Sequence, residues 1–202
     1  MDIARRCDAR VFIIDYPGYW MHEDGSPPSP RTAGGVYSAA YAAAKILGGD
    51  GRRFHVVGYS LGTALAVRVA RDHGNAVESM SLIAPICSAL STAASSPNKK
   101  LRGLRAFVSV IKPFISTLDV FCAERDAPFV GRPAPYPQHP GTRCSIVYGE
   151  QDELVNSSQS VRMSKLLGAS IVMVKGESHT TIQESDEALE FVTRTVFDRG
   201  PV

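Results

Sequence analysis

No apolar run in this chain of 202 residues approaches the length needed to cross a membrane, and its opening, Met1-Asp2-Ile3-Ala4-Arg5-Arg6, does not read as a signal peptide. An excess of charge of one sign is lacking too. The 22 Lys and Arg against 20 Asp and Glu leave a formal net charge of +2. That balance is too small to imply a nucleic-acid partner, and no stripe of Lys and Arg interleaved with aromatics alters it. Cysteine occurs four times, as Cys7, Cys87, Cys122 and Cys144, with neither the spacing of a disulfide framework nor a CxxC pair. Three of the four fall on or beside predicted secondary structure, so they read as reduced, mostly buried thiols, and a cytoplasmic location is the expectation. There is no internal repeat. What remains is an ordinary globular composition, 44% hydrophobic and 21% charged, at a length that suits one domain with a real core.

The organising stretch is Phe54-His55-Val56-Val57-Gly58-Tyr59-Ser60-Leu61-Gly62-Thr63-Ala64-Leu65. A short apolar run leads into Gly58-x-Ser60-x-Gly62 and then into alanine-rich helical sequence, the strand, sharp turn and helix of a nucleophile elbow. Ser60 is the candidate nucleophile. Side chains at Gly58 and Gly62 are expected to collide with the neighbouring strand and helix, because the turn holds Ser60 in a strained conformation. The same turn puts the Leu61 N–H at a helix N-terminus, where it can donate to a developing oxyanion. The plainer reading makes both glycines ordinary turn residues and Ser60 a helix N-cap; the strand and helix on either side favour the elbow.

In chain order, Asp2 to Cys7 has helical composition. Val11-Phe12-Ile13-Ile14 is apolar on both faces and predicts a strand buried between two helical layers. Asp15-Tyr16-Pro17-Gly18-Tyr19-Trp20 then turns at the carboxyl end of that strand, where open α/β sheets place their ligands. The PxxP spacing in Ser26-Pro27-Pro28-Ser29-Pro30 is read as a stiff connector rather than a ligand for a peptide-binding domain. Helical spacing runs from Val36 to Leu47 with Gly48-Gly49 as its stop, and the elbow helix runs from Leu61 to about His73. Buried strands are predicted at Met80–Ile83, Ser145–Tyr148 and Ile171–Val174, with helices at Ser157–Leu167 and from about Asp186 to Phe197. This alternation predicts an α/β fold, a mostly parallel sheet with helices on both faces, as a single domain over 1–202.

Residues 88–141 break the rhythm and form a candidate lid inserted at the carboxyl end of the sheet. Within it Lys99, Lys100, Arg102 and Arg105 alternate with Leu101, Leu104 and Phe107. Such a mixture is normal on a surface helix and is also compatible with peripheral contact to an anionic membrane.

A serine nucleophile needs a base, and the base an orienting acid, in the chain order Ser, Asp or Glu, His for this architecture. Of the five histidines, His22, His55 and His73 lie near or before the serine and His139 lies in a proline-rich stretch. Only His179, in Gly176-Glu177-Ser178-His179-Thr180, follows a late strand. The candidate acid is Asp152, in the turn Tyr148-Gly149-Glu150-Gln151-Asp152-Glu153-Leu154-Val155, with Glu150 and Glu153 as substitutes. A surface-loop histidine and a turn-forming aspartate are the plain readings; three residues in this order, each just past a predicted strand, argue against coincidence.

With Asp15-Tyr16-Pro17-Gly18-Tyr19, Gly58-Tyr59-Ser60-Leu61-Gly62, the Asp152 turn and the His179 loop in this order, the chain resembles the α/β-hydrolase superfamily. Within it, the chain is most similar to the α/β-hydrolase-domain proteins that include protein depalmitoylases and to serine aminopeptidase-like hydrolases. The resemblance spans nearly everything but the lid. It implies Ser60 as nucleophile, Asp152 as acid, His179 as base and Leu61 N–H as an oxyanion donor, with Tyr16, Tyr59 and Trp20 at the substrate and no metal or organic cofactor. Trp20 stands where the family usually has glycine, which implies a bulkier pocket wall.

The family pattern also has upstream strands ending in a His-Gly loop that supplies a second oxyanion donor, and no such loop precedes Asp15. Losing one donor is worth on the order of 10²–10³ in rate. The expectation is an N-terminally truncated hydrolase fold, or else direct pairing of Val11–Ile14 with Phe54–Gly58. The expected activity is cleavage of a carboxylic ester or thioester of a small-molecule or acylated substrate through an acyl-enzyme. An amide or peptide hydrolase and a catalytically silent binding module of the same fold are the alternatives.

Overall fold

The computed structural model describes residues 5–6, 9–14, 33–49, 51–60, 62–86 and 142–197. Among them, Arg5 and Arg6 are helical, in keeping with the composition around them. The elements then follow as α1 (Ala33–Gly48), β1 (Phe54–Tyr59), α2 (Gly62–Asp72), β2 (Val77–Ile83), β3 (Arg143–Gly149), α3 (Ser157–Leu167), β4 (Ser170–Val174), a 3-10 turn at Ile182–Glu184, and α4 (Asp186–Phe197).

Local chemistry sets these boundaries. The Asn156 side chain accepts the Ser158 N–H at the start of α3, and Gly168 ends that helix in the left-handed region at φ 60°, its N–H bonded to the Ser164 carbonyl. The strands lie side by side as β1-β2-β3-β4, every pair parallel, with Gly58 opposite Leu82, Leu82 opposite Ile146 and Ile146 opposite Ile171. Their carboxyl ends therefore share one end of the sheet.

The period-two alternation of the strands divides the core into layers. Met80, Leu82 and Ile146 pack on one face with Ala66 and Val67 of α2 and Met163 of α3. Ile83, Val147 and Val174 pack on the other with Ile182 and with Ala188, Leu189 and Val192 of α4. Ser81 and Ser145 are buried opposite each other, and the Ser145 hydroxyl donates to Ser81 Oγ at 2.9 Å, so burial leaves neither unsatisfied. The parallel sheet with helices on both faces is thus as the sequence predicts.

Two expectations need correction. Val11–Ile14 forms no strand: Phe12 is 57% and Ile13 77% exposed, and Ile14 packs against the cluster of Ala40, Ala44 and Val69. A strand exists through the ladder it makes with a neighbour. Among the described residues the sheet has four strands and β1 pairs with β2 alone, so pairing of residues 11–14 with Phe54–Gly58 is absent as well. The second correction concerns β4, expected to be buried. Among the described residues it pairs with β3 alone and so lies at an edge, with Ile171 38% and Met173 39% exposed, while Val172 and Val174 face the α4 layer.

The candidate lid at 88–141 and its basic and apolar stripe lie outside the described residues, as do the PxxP segment and Cys7, Cys87 and Cys122. Among the described residues no helix is long and apolar enough to cross a membrane.

Candidate active site

Ser60 directly follows β1 and sits at φ 49°, in the left-handed region that a β-substituted residue adopts only under constraint. Three bonds supply that constraint. The Ser60 N–H donates to the Ile83 carbonyl at 2.9 Å, continuing the β1–β2 ladder one step beyond the strand. The Ser60 carbonyl accepts from the Thr63 N–H at 3.0 Å and from the Thr63 hydroxyl at 2.6 Å. Thr63, fully buried, in turn accepts the Ile86 N–H at 3.1 Å, which ties the elbow to the chain leaving β2.

Gly58 is needed for space. A Cβ there would lie 2.7 Å from the Gly62 carbonyl oxygen and 2.8 Å from both Thr63 Cα and Ala66 Cβ. Gly62 is different: among the described residues a Cβ at that position meets nothing within 4 Å, so the expected collision is found at Gly58 and has no counterpart at Gly62 among them.

Asp152 and His179 come from the loops after β3 and β4. Asp152 Oδ1 accepts the N–H groups of Leu154 at 2.9 Å and Val155 at 2.7 Å, which fixes the carboxylate plane. Its Oδ2 lies 2.8 Å from His179 Nδ1, and His179 Nε2 lies 2.8 Å from Ser60 Oγ. The side chains of His179 and Asp152 are 5% and 3% exposed, so the pair is dry. A carboxylate oxygen only accepts, so Nδ1 carries the ring proton, and Nε2 presents its lone pair to the serine hydroxyl.

The two loops are fastened to each other through the backbone. Gln151 N–H donates to the Glu177 carbonyl at 2.8 Å and Glu150 N–H to the Val174 carbonyl at 2.9 Å. Gly149 permits their contact, since a Cβ there would stand 2.2 Å from the Glu177 oxygen.

The structure therefore brings Ser60, Asp152 and His179 together, and it separates Asp152 from its substitutes. Glu150 accepts the Gly176 N–H at 3.2 Å, and Glu153 accepts the backbone N–H of His179 at 3.1 Å. Tyr59, expected at the substrate, donates its hydroxyl to the His179 carbonyl at 2.9 Å. Burial first, and then the charges of Asp152 and Glu153, push the Tyr59 phenol up from its usual value and keep it a donor. Leu61, Tyr16 and Trp20 lie outside the described residues.

His55 is at the far end of β1, 2.7 Å from Ser79 Oγ, and His73 lies tilted by 52° against Tyr41 with ring centroids 4.5 Å apart, so both are engaged elsewhere than at Ser60. Sequence reasoning missed Thr63 as the brace of the elbow. Its position three residues after Ser60, in the first turn of a helix, is the available signal for a hydroxyl bonded back to the chain. Among the described residues no group of three or more His, Cys, Asp and Glu could hold a metal ion.

The chain belongs to the alpha/beta hydrolase family, whose model it matches over residues 1–194. Among solved structures it is similar to an alpha/beta fold family hydrolase from Bacillus anthracis, at 11% identity and TM-score 0.61 over 90% of this chain and 80% of that one. It is also similar to a monoacylglycerol lipase from Paleococcus ferrophilus, at 17% identity and TM-score 0.55 over 90% and 82% of the two chains. A putative non-heme bromoperoxidase from Mycobacterium tuberculosis stands at 14% identity and TM-score 0.55 over 91% and 79%. At these identities the likeness is one of fold. Comparison with curated proteins finds no match.

Proposed function

We propose that the chain is a serine hydrolase that cleaves a carboxylic ester or thioester, with Ser60, His179 and Asp152 as nucleophile, base and acid. The observation that carries this reading is the pair of 2.8 Å contacts from Asp152 Oδ2 to His179 Nδ1 and from His179 Nε2 to Ser60 Oγ. In the first half-reaction Nε2 takes the hydroxyl proton as Ser60 Oγ bonds to the acyl carbon. The imidazolium then returns that proton to the departing alcohol or thiol as the bond to it breaks, leaving an acyl-serine. In the second half-reaction water loses a proton to Nε2 and adds to the acyl carbon; the acyl–Oγ bond then breaks as the imidazolium returns that proton to Ser60 Oγ, releasing the acid and restoring the starting triad. Asp152 holds the tautomer throughout and stabilises the imidazolium. Membership of the alpha/beta hydrolase family supports this chemistry, and a silent binding module would have no need of three aligned groups.

Fluorophosphonate labelling of the folded chain, beside Ser60→Ala, tests the assignment. Labelling mapped to Ser60, absent in Ser60→Ala, is expected. Asp152→Asn should lower turnover of an activated ester by about 10⁴-fold, because an amide facing Nδ1 favours the wrong tautomer. A folded chain that does not label overturns the enzyme reading in favour of a binding module. Cleavage of an anilide with esters and thioesters untouched overturns the substrate class.

A further inference from the structure

His179 is bound four times, in an order that the triad alone does not explain. Its Nε2 meets Ser60 Oγ and its Nδ1 meets Asp152 Oδ2. Its carbonyl accepts from the hydroxyl of Tyr59, the residue before Ser60, at 2.9 Å, and its N–H donates to the carboxylate of Glu153, the residue after Asp152, at 3.1 Å. Each residue that touches the ring thus has a chain neighbour that touches the peptide. The loop carrying His179 leaves an edge strand, and Gly176 and Thr180 on either side of it are exposed. Packing holds such a loop weakly, and the bonds from Gln151 N–H to the Glu177 carbonyl and from Gly176 N–H to Glu150 fasten it before His179, leaving the N–H and carbonyl of His179 itself to be held separately. The ring bonds cannot do the whole task either, because the Ser60 contact breaks in every catalytic cycle as the proton moves.

We infer that Tyr59 and Glu153 are positioning residues, a two-point clamp that fixes the His179 peptide against the elbow and the acid turn so that the imidazole stays aimed while its own hydrogen bonds change. The inference rests on the serine-hydrolase reading. Tyr59 bears a second relation to the base, its ring centroid 5.7 Å from that of the imidazole, so a test must separate the hydroxyl from the ring. Tyr59→Phe does so. At Glu153, Gln keeps an oxygen acceptor without the charge, whereas Ala removes both.

Displacing a reacting group by about 1 Å can cost on the order of 10²-fold. Loss of one of two grips is therefore expected to slow fluorophosphonate labelling of Ser60 and kcat for an activated ester by about 10-fold in Tyr59→Phe and in Glu153→Ala, with KM unchanged. Glu153→Gln should stay within about 3-fold of the parent, since the N–H acceptor is retained. A purely structural role would lower the unfolding temperature and leave the labelling rate of the folded fraction untouched, and that result overturns the inference. Equal slowing in Glu153→Gln and Glu153→Ala also overturns it, because the charge and not the acceptor would then be at work.

A readout independent of activity is the downfield proton resonance of His179 Nδ1–H, which the Asp152 bond protects from exchange. It should broaden or vanish in Tyr59→Phe and Glu153→Ala and persist in Glu153→Gln. If the parent chain does not label but the resonance follows this pattern, the clamp stands and the hydrolase reading falls. If the resonance is unchanged in Tyr59→Phe and Glu153→Ala, the clamp falls whatever the activity.

Discussion

The two glycines of the elbow, equivalent in the motif, should differ sharply on mutation. Alanine at Gly58 places a methyl 2.7 Å from the Gly62 oxygen and 2.8 Å from Thr63 Cα. Both neighbours are backbone and cannot rotate away. Ordinary contact begins near 3.4 Å, so the first turn of α2 must withdraw from β1, and overpacking of this kind costs about 1–3 kcal/mol. For a chain of this size each kcal/mol moves the unfolding temperature by about 2–4 °C, so Gly58→Ala should melt roughly 2–12 °C below the parent. The displaced turn carries Thr63, whose hydroxyl braces the Ser60 carbonyl, so labelling of Ser60 should slow in the same variant. Alanine at Gly62 meets nothing within 4 Å among the described residues. There the narrower unfolded ensemble should leave the protein more stable by roughly 0.4–1 kcal/mol. Thermal unfolding followed by circular dichroism, with the three chains in parallel, measures both. Equal losses in Gly58→Ala and Gly62→Ala, or none in Gly58→Ala, would refute the steric account of the elbow.

Ala84, buried at φ 47°, should tolerate glycine: relief of a left-handed conformation worth about 1–2 kcal/mol offsets a lost methyl of about 0.8 and backbone entropy of about 0.5–1. Its unfolding free energy from urea titration should stay within about 1 kcal/mol of the parent, while Ala66→Gly, inside α2, should lose about 2 kcal/mol. Burial pushes the Cys144 thiol up to about 12, so iodoacetamide at pH 8 should leave it unmodified in the folded chain and alkylate it in urea, as read by peptide mass mapping. Burial also lowers the His55 pKa, Glu78 opposing and Arg143 and Arg53 reinforcing the shift. The neutral ring is therefore favoured by folding, so this contribution is complete above the unfolded value of about 6.5 and fades as the pH falls through the lower folded value. Urea midpoints measured between pH 7.5 and 5 should fall less steeply in His55→Asn than in the parent.

What could be read from the sequence divides along the line between local and paired features. Helix α3 was legible to the residue because Asn156 and Gly168 act on the turn beside them. The elbow, the Asp152 turn and the His179 loop were legible because each follows an apolar run by a fixed step. Val11–Ile14 looked like a strand by composition, yet strand formation belongs to a pair, and no ladder forms there. Ile171 and Met173 looked buried because an apolar run does not reveal whether its strand is central or at an edge. Tyr59 and Glu153 were out of reach for a related reason. Their bonds to His179 span 120 and 26 positions, and which loop faces which is decided by the register of the sheet.

That register also explains how three separate loops converge. Just beyond the strand ends a row of backbone bonds continues the sheet: Ser60 N–H to the Ile83 carbonyl, Ala84 N–H to the Val147 carbonyl and Glu150 N–H to the Val174 carbonyl, at 2.9, 2.8 and 2.9 Å. The row crosses from β1 to β4 and passes beneath each of the three candidate catalytic loops. Ser60 and Ala84 are the non-glycine residues at positive φ among those described, and both lie on this row. The turning of the chain out of the sheet is thus concentrated where the ladder still holds it. Strain at such positions persists when the surrounding bonds over-determine the backbone, and here the same bonds that hold the strain fix the distance between Ser60 and His179.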